Sequence, residues 1–240
     1  MTIYASNGAK LFIGGAITVS GTDLTAASFS AITWTEIGET ENLGQLGDTS
    51  AEITFDGIGS NRTRRLKGTR NAGAMEVVCG FDASDAGQIA LIAAEKTIFD
   101  YAFKLVYPDA PPVKTQTVTI TIATPGVVSW AAHGLAEGTP IVLSTTGALP
   151  TGLTAGTTYY VKTPTTDAFS LSATSGGSAI TTSGSQSGVQ TATTQPVGTT
   201  RLFAAKVMAV PEVVDAANNV IKQNATLGIN SNIVGVARLG

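Results

Sequence analysis

The sequence predicts a mainly β protein: a β-sandwich or barrel with one α-helix, interrupted by a small all-β inserted domain. Charge is the first observation behind this prediction. Residues 116–195 hold only three charged side chains, whereas the others, out of 14 Lys and Arg and 17 Asp and Glu, lie in the flanks. Such a break in composition indicates two different surfaces. We therefore expect a discontinuous domain formed by 1–115 and 196–240, with 116–195 inserted into it.

The second observation is the periodicity of the first flank. Apolar and polar side chains alternate there in several short runs, which is typical of half-buried strands. The segment 38–73 is instead long, polar and rich in glycine, and only 51–55 within it could pair briefly as a strand. The other strands predicted in this flank are 10–19, 31–37, 74–81 and 101–107.

The only well-formed helix signal lies in the same flank, and it predicts an α-helix over 83–95. Asp85, followed three residues later by Gln88, fits a capping box, in which the first side chain accepts a hydrogen bond from the start of the helix. Helical spacing relates Ile89, Ile92, Ala93 and Lys96, and Leu91 widens the apolar face.

The rest of the chain is also predicted to form strands. In the second flank we expect strands at 201–210, 220–229 and 233–237, the last two pairing as a hairpin. The insertion contains five short apolar runs separated by glycine-rich turns, and its aromatic residues distinguish it from a disordered linker. Its Ser, Thr, Gly and Gln-rich end, 175–194, is predicted to be a loose return linker. The short strands predicted in the insertion are 118–122, 127–131, 140–143, 157–162 and 168–171.

Composition excludes several classes of protein. The formal net charge of −3 lacks the broad basic excess of a dedicated nucleic-acid binder. Cys79 is the only cysteine, so no internal disulfide is possible, and its strand context predicts a buried thiol. The sequence has no apolar run near the roughly 20 residues that span a bilayer, and no signal peptide is predicted. We therefore expect no membrane insertion.

No constellation of catalytic residues stands out. His133 is the only histidine and lies in a turn context, which favours a structural role over that of a catalytic base. The sequence has neither a nucleophile elbow nor a phosphate-binding or dinucleotide-binding glycine motif. We therefore predict a protein that is not an enzyme, with no catalytic, cofactor-binding or metal-binding residues and no cofactor.

One charge cluster is pronounced, because five of the 14 basic residues fall within nine positions, 62–70. Three interpretations remain open. The cluster could bind phosphate, since Lys and Arg neutralise phosphate charge. It could be a solvated loop. It could also match acidic residues between identical subunits, where charge complementarity sets the register of a contact. The five residues are Arg62, Arg64, Arg65, Lys67 and Arg70.

Four motifs of the flanks carry a resemblance in their order along the chain. They are WTEIGE at 34–39, NRTRRLKG at 61–68, DASDAGQ at 82–88 and LGINSNIV at 227–234. This succession resembles the major tail tube protein of long-tailed bacteriophages. The resemblance covers roughly 1–115 and 196–240, and the order of the motifs is more specific than any one of them.

The insertion resembles a second phage pattern. Its motifs are HGL at 133–135, STTGALPTGL at 144–153, GTTYYV at 156–161 and DAFSLS at 167–172. They look like a small β module of the kind that recurs as an insertion in virion structural proteins. The chain departs here from the simplest tail tube proteins, which run directly from the strand before the insertion to the strand after it.

The resemblance implies a virion structural protein with a sandwich-like β domain. Its copies would form hexameric rings that stack into the tail tube, the conduit for DNA ejection, after assembly in the host cytoplasm. Genomic DNA would pass through the lumen without specific binding. The implied partners are other copies, the tail terminator, the distal tail or baseplate, the tape measure protein and, in a contractile tail, a sheath. The segment 38–73 would be a contact arm between subunits or rings, with contact residues Glu39, Glu41, Asp48, Arg62, Arg64, Arg65, Lys67 and Arg70.

Two hypotheses and one alternative accompany this expectation. The arginine cluster should lie between subunits and not on the lumen wall, because a basic wall would grip DNA. The inserted domain should lie on the tube exterior, because it would otherwise block the channel. The alternative function is an adhesin or carbohydrate-binding surface module, in which the insertion contacts the host cell.

Overall fold

The computed structural model describes residues 3–240, which form two compact units. The first, here called the sheet unit, consists of 6–106 and 200–236. The second, the barrel unit, contains 107–199 with 3–5 and 237–240. The expected insertion, 116–195, lies within the barrel unit, which extends further along the chain in both directions.

Nearly all regular structure in the described residues is β-strand, and the prediction of a mainly β protein with one α-helix is confirmed. The helix is α1 (Ala86–Glu95), and a short 3₁₀ helix spans Ala26–Phe29. The strands are β1 (Lys10–Ala16), β2 (Thr35–Ile37), β3 (Thr40–Asn42), β4 (Thr49–Phe55), β5 (Arg64–Asn71), β6 (Ala74–Gly80), β7 (Tyr101–Val106), β8 (Thr115–Ile120), β9 (Val127–Ser129), β10 (Pro140–Thr145), β11 (Thr158–Lys162), β12 (Ala168–Ser172), β13 (Gln190–Thr194), β14 (Thr200–Ala209), β15 (Glu212–Val213), β16 (Lys222–Ile229) and β17 (Val234–Val236).

The sheet unit is built on one antiparallel sheet in the order β2-β1-β7-β14-β16-β6-β3, with β15 beside β16 and β17 beside β14. Strict alternation of side chains between the two faces explains why β16 alternates between half-buried and buried positions along its whole length. Ile13, Phe103 and Phe203 stand opposite one another on three neighbouring strands, and the two phenyl rings stack with centroids 5.6 Å apart. This row forms the centre of the core.

The residues before β2 cover the other face of the sheet. The predicted strand 31–37 is strand only in its last three residues, and the predicted strand 10–19 ends at residue 16. The chain between them turns back so that Phe29 stacks with Trp34 at 6.4 Å and packs with Ala102 and Leu202 of the sheet. Burial of these aromatic side chains competes with extension of β2, because a longer strand would carry them away from the sheet.

The predicted capping residue of α1 is confirmed, although the helix begins later than expected. Asp85 Oδ1 accepts a hydrogen bond from the backbone N of Gln88 at 2.7 Å. The helix starts at residue 86 instead of 83, because Asp82 and Ser84 form their own turn, with Ser84 N donating to Asp82 Oδ1 at 2.8 Å. A side chain that bonds its local backbone in this way stops the helix from extending towards its N-terminus.

The predicted apolar face of the helix is wrong except for Leu91, which is buried as expected. The helix buries Gly87, Gln88, Leu91 and Ala94, whereas Ile89 is exposed. Two contacts determine which side of the helix faces the sheet. Gly87 lies so close to β2 that an added Cβ would be 2.6 Å from the Cα of Ile37. The buried Gln88 side chain donates from Nε2 to the carbonyl of Gly80 at 2.9 Å. Backbone proximity and a buried amide therefore outweigh the apolar stripe.

The predicted hairpin between the last two strands is also wrong. β16 pairs with β14 and β6, and β17 pairs with β14. Ile229 stands opposite Ala205, and Val234 opposite Leu202, so the two strands follow each other along the same side of β14. Asn230 N continues this ladder by donating to the carbonyl of Ala204 at 3.0 Å. Residues 230–233 therefore interrupt two strands that run along the same side of β14, and they do not form a hairpin turn.

The barrel unit contains a closed antiparallel barrel in the order β10-β11-β12-β9-β8-β13. Its interior is filled by aromatic and aliphatic side chains, and the Trp130 and Phe169 rings meet at a centroid distance of 6.4 Å. The prediction that 175–194 is a loose linker is wrong, because β13 closes the barrel between β10 and β8. Gln190, Ala192 and Thr194 alternate inwards along β13, so its polar composition conceals a strand pattern.

The ends of the barrel are tied together. Lys114 N donates to Thr194 Oγ1, and Thr194 N donates to the carbonyl of Lys114, both at 2.9 Å. Asp109 accepts from the N and the Oγ1 of Thr199 at 2.6 Å each. Burial alone would raise the pKa of Asp109, but these hydrogen bonds outweigh it and hold the pKa below its ordinary value.

Candidate interaction site

The segment predicted as a polar arm contains a β-hairpin. β4 and β5 pair as a separate two-stranded sheet, with Ile53 opposite Leu66 and Phe55 opposite Arg64. Of the three interpretations of the basic cluster, the solvated loop is wrong in its conformation, since Arg65 and its neighbours lie on β5, although their side chains are exposed. Arg62 lies in the turn that joins the two strands.

The hairpin has two chemically different faces. Side-chain alternation places Ile53, Phe55 and Leu66 on one face, which we call the apolar face, together with Arg64. These three apolar side chains are 51%, 57% and 60% exposed within the described chain. The opposite, charged face carries Glu52, Arg65 and Lys67, and beyond a register shift Arg70.

An uncovered apolar face on a two-stranded sheet is energetically unusual. A hairpin of two strands is at best marginally stable in water unless a third strand or another element covers it. Full burial of one such side chain is worth about 1.5–3 kcal/mol, so covering these half-exposed side chains would contribute roughly 3 kcal/mol in all. The apolar face is therefore suited to contact with another molecule.

Two of the basic residues have acidic partners on the hairpin or beside it. Arg65 pairs with Glu52 at 3.0 Å, and Arg70 pairs with Asp48. Arg62, Arg64 and Lys67 form no ion pair within residues 3–240. Solvent-exposed pairs contribute at most about 1 kcal/mol each, so these charges do little for the hairpin itself.

The structure separates the predicted contact residues into two places. Asp48 lies with the basic cluster, as the expectation of one arm requires. Glu39 and Glu41 lie instead at the edge of the main sheet beside β6, where Glu41 pairs with Lys222 of β16 at 2.6 Å. The eight residues therefore do not all lie on the hairpin, and their role as contacts between subunits stays a prediction. β3 joins the edge of the main sheet and takes both glutamates with it.

Glu39 and Glu41 line a groove of about 790 Å³, which we call the acidic groove. Its other lining residues include Val213 of β15, and Asp215 and Val220 from the segment that connects β15 to β16. Sequence analysis missed this groove, because the two sides are far apart in the chain. It also missed the apolar face, although the alternation of Ile53 and Phe55 within 51–55 carried the signal.

His133 lies next to a turn, where its side chain bonds to the backbone two residues further along the chain. The side chain is buried, and its Nδ1 accepts from the backbone N of Leu135 at 2.9 Å, which assigns the proton to Nε2. The edge of the imidazole meets Phe169 at a centroid distance of 5.1 Å. These contacts support the interpretation of His133 as a structural residue of the barrel.

Other features bear on the chemistry of the chain. Burial, with a smaller effect from the nearby Asp85 carboxylate, raises the pKa of the Cys79 thiol to about 11. Across residues 3–240, no group of three or more His, Cys, Asp or Glu side chains is placed to hold a metal ion. None of the helical structure in that range is long and apolar enough to cross a membrane.

Neither comparison with known proteins identified a relative of this chain. No family model matches the sequence. A search of curated proteins likewise found no match. The resemblance to tail tube proteins therefore stays a prediction, and so does the alternative of a host-binding module.

Proposed function

We propose that this chain is a structural subunit that assembles with copies of itself, and that the assembly is a phage tail tube of stacked hexameric rings through which DNA is ejected. The uncovered apolar face of the β4–β5 hairpin carries this proposal. It offers a second copy an apolar surface that the same chain leaves exposed. In a virion the tube would also contact terminator, baseplate and tape measure proteins, and a sheath where the tail contracts.

The physics of sheet edges supports self-assembly. Exposed strand edges recruit other strands, and natural proteins keep them short or cover them. The two ends of the main sheet are β2 and β3, each of three residues. A longer two-stranded sheet with its own open edges lies in the hairpin. A contact between two different surfaces of identical chains closes into a ring or continues as a filament, according to the rotation between neighbours.

The charges of the chain agree with a conduit for DNA. A formal net charge of −3 disfavours tight binding of phosphate, so a polymer of this chain would let nucleic acid slide. Arg62, Arg64 and Lys67 then lie between subunits, where they meet carboxylates and not DNA.

Electron microscopy and sedimentation of the purified chain test the proposal. We expect rings or tubes at high protein concentration. The double substitution Phe55→Ser/Leu66→Ser should abolish them, because it removes the apolar surface that a neighbour would cover. The matched control is Ile122→Ser in the barrel unit, which replaces a side chain that is also about half exposed.

The fold of each variant is checked by circular dichroism, since both substitutions affect exposed positions. A wild-type chain that sediments as a monomer at every concentration would contradict the proposal. Polymers that survive the hairpin substitutions would also contradict it, because the hairpin would then not be the contact.

A further inference from the structure

We propose that the acidic groove of one copy receives the β4–β5 hairpin of a second copy, with Arg64 of the hairpin facing Glu39. The inference rests on the proposed function, because it names the surface that covers the hairpin when copies assemble. It commits to a second copy of this chain as the occupant of the groove.

The groove presents carboxylates with little positive charge around them. Glu39 forms no ion pair within residues 3–240, and its backbone carbonyl is held by the N of Gly80 at 2.8 Å. Asp215 accepts only neutral donors, the N of Ala216 and the Nδ2 of Asn219, both at 2.8 Å. Among the described residues that line the groove, Lys222 is the only basic one, and it is paired with Glu41. The groove therefore has a net negative charge.

Apolar side chains lie next to these carboxylates. Val213 and Val220 line the groove, and they are 39% and 67% exposed. Val214, between β15 and the groove's Asp215, is also largely exposed. The groove thus combines negative charge with exposed apolar side chains. Exposure of apolar surface to water is unfavourable, so this surface is suited to contact with another molecule.

The hairpin carries the complementary combination. Its apolar face sets Arg64 directly opposite Phe55 and beside Leu66, so one surface offers a cation among apolar side chains. A volume of about 790 Å³ accommodates several side chains but not a whole hairpin. The apolar face would therefore insert its side chains while the charged face stays outside the groove.

Hairpin and groove are different surfaces, which fixes the type of assembly. A contact of this kind is head-to-tail: the copy that supplies the hairpin keeps its groove unused, and the copy that supplies the groove keeps its hairpin unused. It therefore propagates from copy to copy and does not stop at a two-fold dimer. Charge matching would set the register of the contact, since like charges placed against each other disfavour any other register.

Charge reversal with mixed copies tests the inference. Glu39→Lys places a positive charge where the wild-type Arg64 would bind, and Arg64→Glu places a negative charge against the wild-type Glu39. We expect each variant alone to raise the critical concentration for polymers at least tenfold. An equimolar mixture should polymerise again, because each side chain at position 64 can then meet an opposite charge at position 39. Glu95→Lys, at the exposed end of α1, is the matched control and should polymerise like the wild type.

Disulfide trapping provides a second measurement that does not depend on charge. Copies with Ile53→Cys, which keep Arg64 on the same face of the hairpin, and copies with Val220→Cys are mixed under mild oxidation, and we expect a covalent dimer. Ile122→Cys in place of Val220→Cys should give none. The wild-type Cys79 is buried and does not interfere.

The outcomes separate this inference from the proposed function. If the wild-type chain polymerises but Glu39→Lys behaves like Glu95→Lys, or if the mixture shows no rescue and no crosslink, the groove is not the receptor although self-assembly stands. If the wild-type chain never polymerises, the proposed function fails and the inference fails with it.

Discussion

At the scale of single residues, Cys79 shows how packing controls reactivity. It lies on β6 among buried side chains, with 1% of its surface exposed. Its strand context predicted a buried thiol, and that prediction is confirmed. Burial disfavours the thiolate, which is the nucleophilic form, and the carboxylate of Asp85 adds to the effect. The pKa of about 11 keeps the thiol protonated at neutral pH.

We expect Cys79 to resist alkylation by iodoacetamide in the native protein at pH 8 and to react readily in denaturant. The raised pKa also sets a pH dependence. The unfolded thiol ionises above its ordinary pKa of 9.0 while the folded thiol stays protonated to about 11, so the unfolded state gains stability first. The free energy of unfolding should therefore fall as the pH rises from about 9 to 11, and Cys79→Ala should lack this component. Rapid alkylation of the native protein would contradict the assigned burial.

Residue-scale predictions succeeded where the deciding partner is near in sequence. Asp85 and Gln88 meet within one helical turn, so their spacing revealed the cap. Glu41 and its partner Lys222 are 181 positions apart, and no local pattern links them. The placement of Glu41 in a groove depends on β3 joining β6, which is a property of the whole sheet.

At the scale of elements, the contact between α1 and β2 depends on one residue without a side chain. Gly87 is buried at the first turn of the helix and touches the backbone of Glu36 and Ile37. Within a helix, glycine is ordinarily about 1 kcal/mol less favourable than alanine. Its presence here reflects the close approach of two backbones, which excludes a Cβ.

We expect Gly87→Ala to lower the free energy of unfolding by about 1–3 kcal/mol, the range for overpacking a core, despite the better helix propensity of alanine. The helix must move away from β2 to accommodate the methyl group. Chemical denaturation monitored by circular dichroism measures the change. The control Ala93→Gly, at an exposed position of the same helix, should cost only about 1 kcal/mol. A stabilised Gly87→Ala variant would refute the close approach.

Strands were predictable where their apolar residues form a clear run. β7 and β14 bury consecutive residues, so both of their faces are covered, and the predicted runs 101–107 and 201–210 match them to within a residue at either end. β13 was missed because its inward positions are partly occupied by Gln190 and Thr194, whose polar atoms are buried by the barrel. The hairpin face was missed because charges next to Ile53 and Phe55 dominate the composition of the segment.

At the scale of the whole molecule, the break in charge marks a real change of architecture. The segment with three charged residues belongs to a unit with a closed barrel and its own core. The composition of the sequence could reveal this separate unit, because its residues contain far fewer charged side chains than those of the flanks. It could not reveal where the unit ends, because the boundary is set by hydrogen bonds such as that between Asp109 and Thr199.

We expect the barrel to be removable. Lys114 and Thr194 are hydrogen-bonded neighbours, so joining Thr115 to Pro196 through a short turn closes a small gap. The shortened chain should keep the strand content of the sheet unit and form tubes with the same bore but a smaller outer diameter. Negative-stain microscopy beside the full-length chain measures both diameters. Loss of all assembly would argue that the barrel takes part in the contacts between copies.

The barrel unit is connected to the sheet unit through the paired strands β7 and β14, and this connection bears on how such an insertion could be gained or lost in evolution. Val106 and Thr200 stand opposite each other in register, as they would if a tight reversal joined them directly. The point of departure therefore imposes almost no geometric demand on whatever is spliced there. A different domain could therefore be inserted between β7 and β14 without separating the two strands, and each copy of the chain would then carry one inserted enzyme or antigen.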